Sequence, residues 1–249
     1  MRQKIRKTLL FFLFLTLPIT LFYFSPYIII MGGFEGIIAG SFLLFSAQFL
    51  SSLFAGRGFC GWICPAGALQ DCIRLAVDKP SKGGKANWIK YGLWVPWISL
   101  IVFAFVKAGG VRSIDPLLGT EKGFSVGRPE AYFIYLPIVV IIAVLTLAAG
   151  RRGFCHYVCW MAPFLVLGRK LRNAFTWPSL HLRAAPETCT DCKRCSKQCP
   201  MGLDVNGMVK SGLMRNDECI LCGECVDGCP KSTIAYKFFG EKVVSRWKG

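Results

Sequence analysis

Residues 57–71 read RGFCGWICPAGALQD, and residues 152–159 read RGFCHYVC. Arg57, Gly58, Phe59, Cys60 and Cys64 recur as Arg152, Gly153, Phe154, Cys155 and Cys159. Each copy closes an apolar stretch, so the chain carries an internal repeat of two apolar segments and one cysteine pair. Both copies enter and leave on the same side. Such parallel halves are usually related by an axis along the membrane normal. The chemistry of the pairs stays open at this level. At i and i+4 of a helix, two sulfurs share one face. Flanking Arg57 and Arg152 favour thiolate. The four cysteines can bind a metal or a cluster, cycle between dithiol and disulfide, or pack as small apolar residues.

The apolar segments are expected to be membrane spans. They are Thr8–Ile30, Phe34–Ala55, Tyr91–Val106 and Ala131–Ala149, with about 20 residues needed per crossing. Pro18, Pro96 and Pro137 lie inside them, which membrane helices tolerate better than soluble ones. The chain is 53% hydrophobic with a mean hydropathy of +0.46, well above a soluble domain. Its net charge is +16. Residues 1–185 carry 20 Lys/Arg against 6 Asp/Glu, and residues 186–249 carry 10 against 8. The positive excess therefore belongs to the apolar part, which points to membrane topology and away from nucleic acid. Basic residues gather before the first segment, after the second and after the fourth. The expected topology is a multi-pass protein of the cytoplasmic membrane with both termini cytoplasmic. The first segment is expected to be an uncleaved helix, since no small-x-small site follows it.

The remaining cysteines lie near the C-terminus. Cys189-x-x-Cys192-x-x-Cys195-x-x-x-Cys199-Pro200 is followed by Cys219-x-x-Cys222-x-x-Cys225-x-x-x-Cys229-Pro230. This is the bacterial ferredoxin spacing, in which the fourth cysteine of each run ligates the other cluster. Two [4Fe–4S] clusters are expected. One is held by Cys189, Cys192, Cys195 and Cys229, the other by Cys199, Cys219, Cys222 and Cys225. Zinc sites take four ligands in two pairs, and two runs closed by Cys-Pro fit that poorly. The expected fold is an α-helical membrane domain over 1–180, with four spans in two pseudo-repeated pairs. A small α+β two-cluster ferredoxin domain follows over 181–249.

These assignments place twelve of the 13 cysteines; Cys72 is read as packing. Only His156 and His181 are available as histidine ligands, which excludes bis-histidine haem in the spans. No dinucleotide fingerprint or Walker A motif occurs, so direct nucleotide use is not indicated. Glu35 and Gln48 are the only acid and amide in the second segment, and Glu35 is a candidate proton acceptor for a quinol. Asp115 lies in the opposite-side connection. In the tail, Lys193, Arg194 and Lys197 interleave the first cysteine run, and Glu224 and Asp227 the second. Opposite signs on the two ends would orient a partner.

With CGWICPAGALQ and the paired cysteine runs in view, the chain resembles the NapH-type membrane quinol-dehydrogenase subunit of periplasmic nitrate reductase systems. It is also similar to the C-terminal membrane half of the nitrous-oxide reductase regulator and to copper-oxidase assembly ferredoxins. The resemblance implies electron transfer between membrane quinol and a partner redox protein, with cytoplasmic clusters. The second copy departs from the family's Cys-x-x-x-Cys-Pro: Trp160 follows Cys159, and proline comes only at Pro163. Two other readings stand beside this one. The first is a copper or thiol reductase acting through Cys60, Cys64, Cys155 and Cys159. The second is a redox sensor or assembly factor.

Overall fold

The computed structural model describes residues 1–175 and 177–240. Residues 241–249 of the expected ferredoxin domain lie outside the described residues. The first helix, α1 (Arg2–Leu15), stops at Thr16, whose hydroxyl bonds back to the Leu13 carbonyl. Pro18 has no N–H to continue the ladder. The next helix, α2 (Leu17–Thr20), therefore starts afresh, and the two stretches meet at 63°. A second break falls at Ser25, which is extended because the residue before a proline is pushed out of the helical region. Pro26 then opens α3 (Pro26–Glu35). The expected single span over Thr8–Ile30 is thus corrected to three pieces.

The turn brings Phe24 inward, where its ring meets Phe59 and its carbonyl accepts the Trp160 indole N–H. Gly36, at φ +71°, ends α3. A short strand, β1 (Ile37–Ala39), separates it from α4 (Gly40–Ala55). The expected Phe34–Ala55 span is therefore also interrupted. At 1.5 Å per residue α4 reaches about 24 Å, less than the roughly 30 Å hydrocarbon core. Then follow α5 (Gly58–Trp62) and α6 (Pro65–Ile73), the latter with Cys64 as N-cap and Pro65 at its first position.

The long helices are α7 (Ile89–Lys107) and α8 (Tyr132–Ala149). Pro96 and Pro137 sit inside them without ending them. Among the described residues these two, each with its leading turn, are long and apolar enough to cross a membrane; the bent first pair would make three. Only 17% and 11% of their apolar windows are buried within the protein, so their outer faces need an apolar surrounding. Between them β2 (Ser113–Asp115) pairs in parallel with β1, Ile38 opposite Ile114. Ser125 donates to the Ile19 carbonyl and accepts from the Phe22 N–H. One end of the bundle is closed by these loops.

The cysteine pairs lie at the other end. The second copy forms α9 (Gly153–Tyr157) and α10 (Ala162–Phe175). Gly168 lets α10 lie against α4, because any Cβ there would run into Ser52. The C-terminal part pairs β3 (Ser179–Ala184) with β4 (Ile234–Phe239) antiparallel, Ser179 opposite Phe239. Among the described residues it also holds three short α-helices: α11 (Arg194–Gln198), α12 (Val205–Lys210) and α13 (Glu224–Asp227). Its two cysteine loops share a backbone device. Asp191 and Lys193 have positive φ in the first, Leu221 and Gly223 in the second. Left-handed residues on either side of Cys192 and of Cys222 curl each loop around its own cysteines.

Candidate metal centres

The ferredoxin-like part contains two cavities. The inner one is lined by Cys199, Cys219, Cys222 and Cys225 among apolar side chains such as Leu182 and Met201. The outer one is lined by Cys189, Cys192, Cys195 and Cys229. Each cavity thus draws three cysteines from one run and the fourth from the other. The inner set is the more enclosed: Cys199, Cys222 and Cys225 are buried, whereas Cys192 of the outer set is exposed. Burial pushes the Cys222 thiol up to about 12. Thiolates in such a place require a bound cation, and thiol donors are what iron–sulfur clusters take. The donor set therefore fits the group that the spacing implies.

The inner loop is seated directly on the membrane part. Trp62 donates its indole N–H to the Leu221 carbonyl at 3.0 Å, and Gln3 donates to the Cys222 carbonyl at 3.0 Å. Gly61 lies so close to the Ile220 carbonyl that a Cβ would clash with it. Arg57, with no exposed surface, bonds Glu218 at 2.6 Å and the Asp217 carbonyl at 3.2 Å. Lys90, equally buried, pairs with the same Glu218 carboxylate. Burial would raise that carboxyl, but Arg57 and Lys90 outweigh it and hold it at about 2.

Cys60, Cys64, Cys155 and Cys159 are all buried, between 3% and 4% exposed. The two copies match in backbone despite their different exits. The Cys64 N–H bonds the Phe59 carbonyl at 3.1 Å, and the Cys159 N–H bonds the Phe154 carbonyl at 2.9 Å. Ile63 and Val158, between the cysteines, have φ/ψ of −123°/−22° and −121°/−21°. The missing proline after Cys159 therefore leaves its cysteine geometry intact. The pairs are laced together. Arg152 donates to the Cys60 carbonyl at 2.6 Å, and the Gln70 amide donates to the Cys155 sulfur at 3.1 Å. Asp71 accepts from both Arg152 and Arg6. Burial, then the neighbouring cysteines, push the Cys64 and Cys159 thiols up, Cys159 to about 12.

Other expected residues fall elsewhere. Cys72, near the end of α6, is only half-buried and stands apart from the four. Glu35 is exposed at the C-terminal end of α3 and lines neither cavity. Gln48 is buried in α4 with neither amide atom hydrogen-bonded. Asp115 caps its own turn through the Leu117 N–H. Glu224 and Asp227 do not form a free acidic face, as the charge pattern had suggested. Arg6 and Arg74 hold Glu224, and Arg2 holds Asp227. Lys193, Arg194 and Lys197 are exposed. His156 is buried with both ring nitrogens engaged, by Asn87 and by the Met201 carbonyl. Sequence reasoning missed Arg6, Gln70, Asp71, Lys90 and Glu218. Their partners lie from 55 to 218 residues away, so no local pattern marks them.

These features define a small dicluster ferredoxin built onto a helical membrane base with duplicated cysteine pairs. The sequence family described as a 4Fe-4S binding domain matches residues 38–83 and again 131–178. The family described as a 4Fe-4S dicluster domain matches residues 181–241. The chain is 30% identical over 197 residues to Protein NirI of Paracoccus denitrificans, covering 74% of this chain and 26% of NirI. It is 27% identical to the Regulatory protein NosR of Stutzerimonas stutzeri, covering 74% of this chain and 25% of NosR. To the Ferredoxin-type protein NapH of Haemophilus influenzae it is 22% identical, covering 74% of this chain and 63% of NapH. The chain therefore spans about a quarter of the length of NirI and NosR. No solved structure matches. These likenesses support a NapH/NosR-type membrane polyferredoxin family and an iron–sulfur, electron-transport character.

Proposed function

We propose that this chain exchanges electrons between the quinone pool and a partner redox protein. One observation carries the reading: the inner cysteine loop is seated on the start of α1 and on α5, while Cys192 of the outer set is exposed. Cys199, Cys219, Cys222 and Cys225 would hold the inner [4Fe–4S] cluster, and Cys189, Cys192, Cys195 and Cys229 the outer. Such clusters carry one electron at a time, which suits an adaptor for a quinol that gives two. The polypeptide's part is to dock and to insulate. Arg2, Gln3, Arg6, Arg57 and Trp62 clamp the inner loop onto the base. Leu182, Met201 and Ile220 keep water from the inner cysteines. The exposed Lys193, Arg194 and Lys197 lie beside the outer set, where they would steer a partner with an acidic face.

The membrane part is proposed to cross four times, through α1, α4, α7 and α8, with α2 and α3 as an inserted turn between the first two. The cysteine pairs and the ferredoxin-like domain, 181–249, then share the basic, cytoplasmic side. The short reach of α1 and α4 is compatible with local thinning of the bilayer. The test is to place the oxidised full-length protein in lipid vesicles and add a quinol without oxygen. The clusters are expected to become reduced. Clusters that stay oxidised under quinol, yet respond to a stronger reductant, would reject the quinone reading.

A further inference from the structure

We infer that Cys60, Cys64, Cys155 and Cys159 together hold a third iron–sulfur cluster, between the membrane helices and the inner ferredoxin cavity. Two independent observations lead there. The first is placement. Cys64 and Cys159 pack into the core of the membrane part, with Phe154 and Ala162. Cys60 and Cys155 pack into the core of the ferredoxin-like part, with Ile220 and Cys222. One cysteine of each pair thus faces each side of the joint. All four are free of disulfides. The repeated backbone gives the two pairs matching approaches, as a centre with four equivalent thiolate positions requires.

The second observation is an unmet demand for negative charge. Arg57 is completely buried, and its Nε and Nη2 have no hydrogen-bond partner. Leaving such groups unpaired is costly. Arg6, Arg57, Lys90 and Arg152 are each no more than 1% exposed. The carboxylates that meet them are Asp71, Glu218 and Glu224, and Glu224 is shared with Arg74. Positive charge is therefore in excess around the cysteines. Four neutral thiols would leave it so. Four thiolates around an iron–sulfur core are net anionic and supply acceptors. The Gln70 N–H already points at the Cys155 sulfur.

The centre would lie directly beneath the inner cluster, since Gly61 and Trp62, between Cys60 and Cys64, touch the Ile220–Cys222 loop. That is the position of a relay between the membrane part and the ferredoxin clusters. It also accounts for the two cysteine pairs that the ferredoxin function leaves unused.

The test is elemental analysis of the full-length protein purified without oxygen, alongside Cys64→Ser/Cys159→Ser. Iron, zinc, copper and acid-labile sulfide are counted per chain, and the centres are followed by EPR during a redox titration. The expected wild-type iron is about twelve per chain for a four-iron third cluster, or about ten for a two-iron one. The variant is expected to fall to about eight while keeping the two ferredoxin signals. Eight irons in both proteins, or one zinc or copper per wild-type chain that the variant loses, would overturn the inference and leave the proposed function standing. Iron well below eight, with no ferredoxin signals, would instead reject the ferredoxin reading. If the variant does not accumulate, the wild-type protein decides: three titrating centres support the inference, and two with eight irons overturn it.

Discussion

Glu218 holds the joint between the two parts of the molecule, and replacing it by glutamine tests whether that joint is built as described. Its carboxylate is the common partner of Arg57 and Lys90, both fully buried. Glutamine keeps the size and loses the charge, so two cations are left buried without it. Breaking a buried pair from one side costs about 3–5 kcal/mol. For a chain of this size that lowers the melting temperature by roughly 10 °C. The assay is heating of the detergent-solubilised protein, followed by helical circular dichroism and by visible iron–sulfur absorbance. The visible signal should be lost first, because the joint lies beside Cys219. Adding Lys90→Met removes one stranded cation and should restore part of the loss. A Glu218→Gln protein that melts within about 2 °C of wild type, under 1 kcal/mol by the same conversion, would refute the view that these charges fasten the ferredoxin loop.

Three further outcomes are expected. Gly61→Ala forces a methyl group against the Ile220 carbonyl; a loss of about 1–3 kcal/mol is expected, with an altered EPR spectrum of the inner cluster, and an unchanged spectrum would argue against close seating. Asp71→Asn probes pH dependence. Burial pushes that carboxyl up, but Arg152, Arg6 and Arg74 outweigh it and hold it below the usual carboxylate range. Its contribution is then fully present above about pH 4 and lost as pH falls through the lower folded value, so the variant should show a flatter acid limb in melting temperature; parallel limbs would contradict the pairing. Asp227→Ala breaks the exposed pair with Arg2 and the Gln3 hydrogen bond to the same carboxylate and should cost about 1–2 kcal/mol, a drop in melting temperature as large as that of Glu218→Gln being the contrary result.

The cysteine runs, the repeat and the helices α7 and α8 were legible in the sequence, because each rests on local spacing or on a long uniform apolar run. The breaks in the first two segments were not. A proline alone does not say whether a membrane helix continues: Pro96 and Pro137 are absorbed, whereas Pro18 and Pro26 are not. The difference lies in the neighbours. Thr16 ends a helix by bonding back to its own backbone, and Ser25 is extended before Pro26. The outcome also depends on contacts with Ser125, Phe59 and Trp160, which lie far along the chain. The docking of α1 onto the ferredoxin loop was equally hidden. Arg2 and Arg6 look like topology signals in a basic leader, yet they are paired with Asp227 and Glu224 more than 200 residues away. For the same reason the acidic residues of the second cysteine run looked like a docking face. The arginines of the repeat were visible as flanking charges, but their burial was not.

The central claim, that electrons pass between membrane quinol and the docked clusters, is met most directly by a stoichiometric titration in lipid. Oxidised full-length protein in vesicles receives a known quinol in small anaerobic steps, and EPR counts the reduced clusters while the quinone formed is measured. The account predicts that each quinol oxidised reduces two centres by one electron each, with the signals growing until the quinol's potential is reached. Quinol that remains unconsumed at every ratio, beside clusters that a strong reductant readily converts, would contradict it.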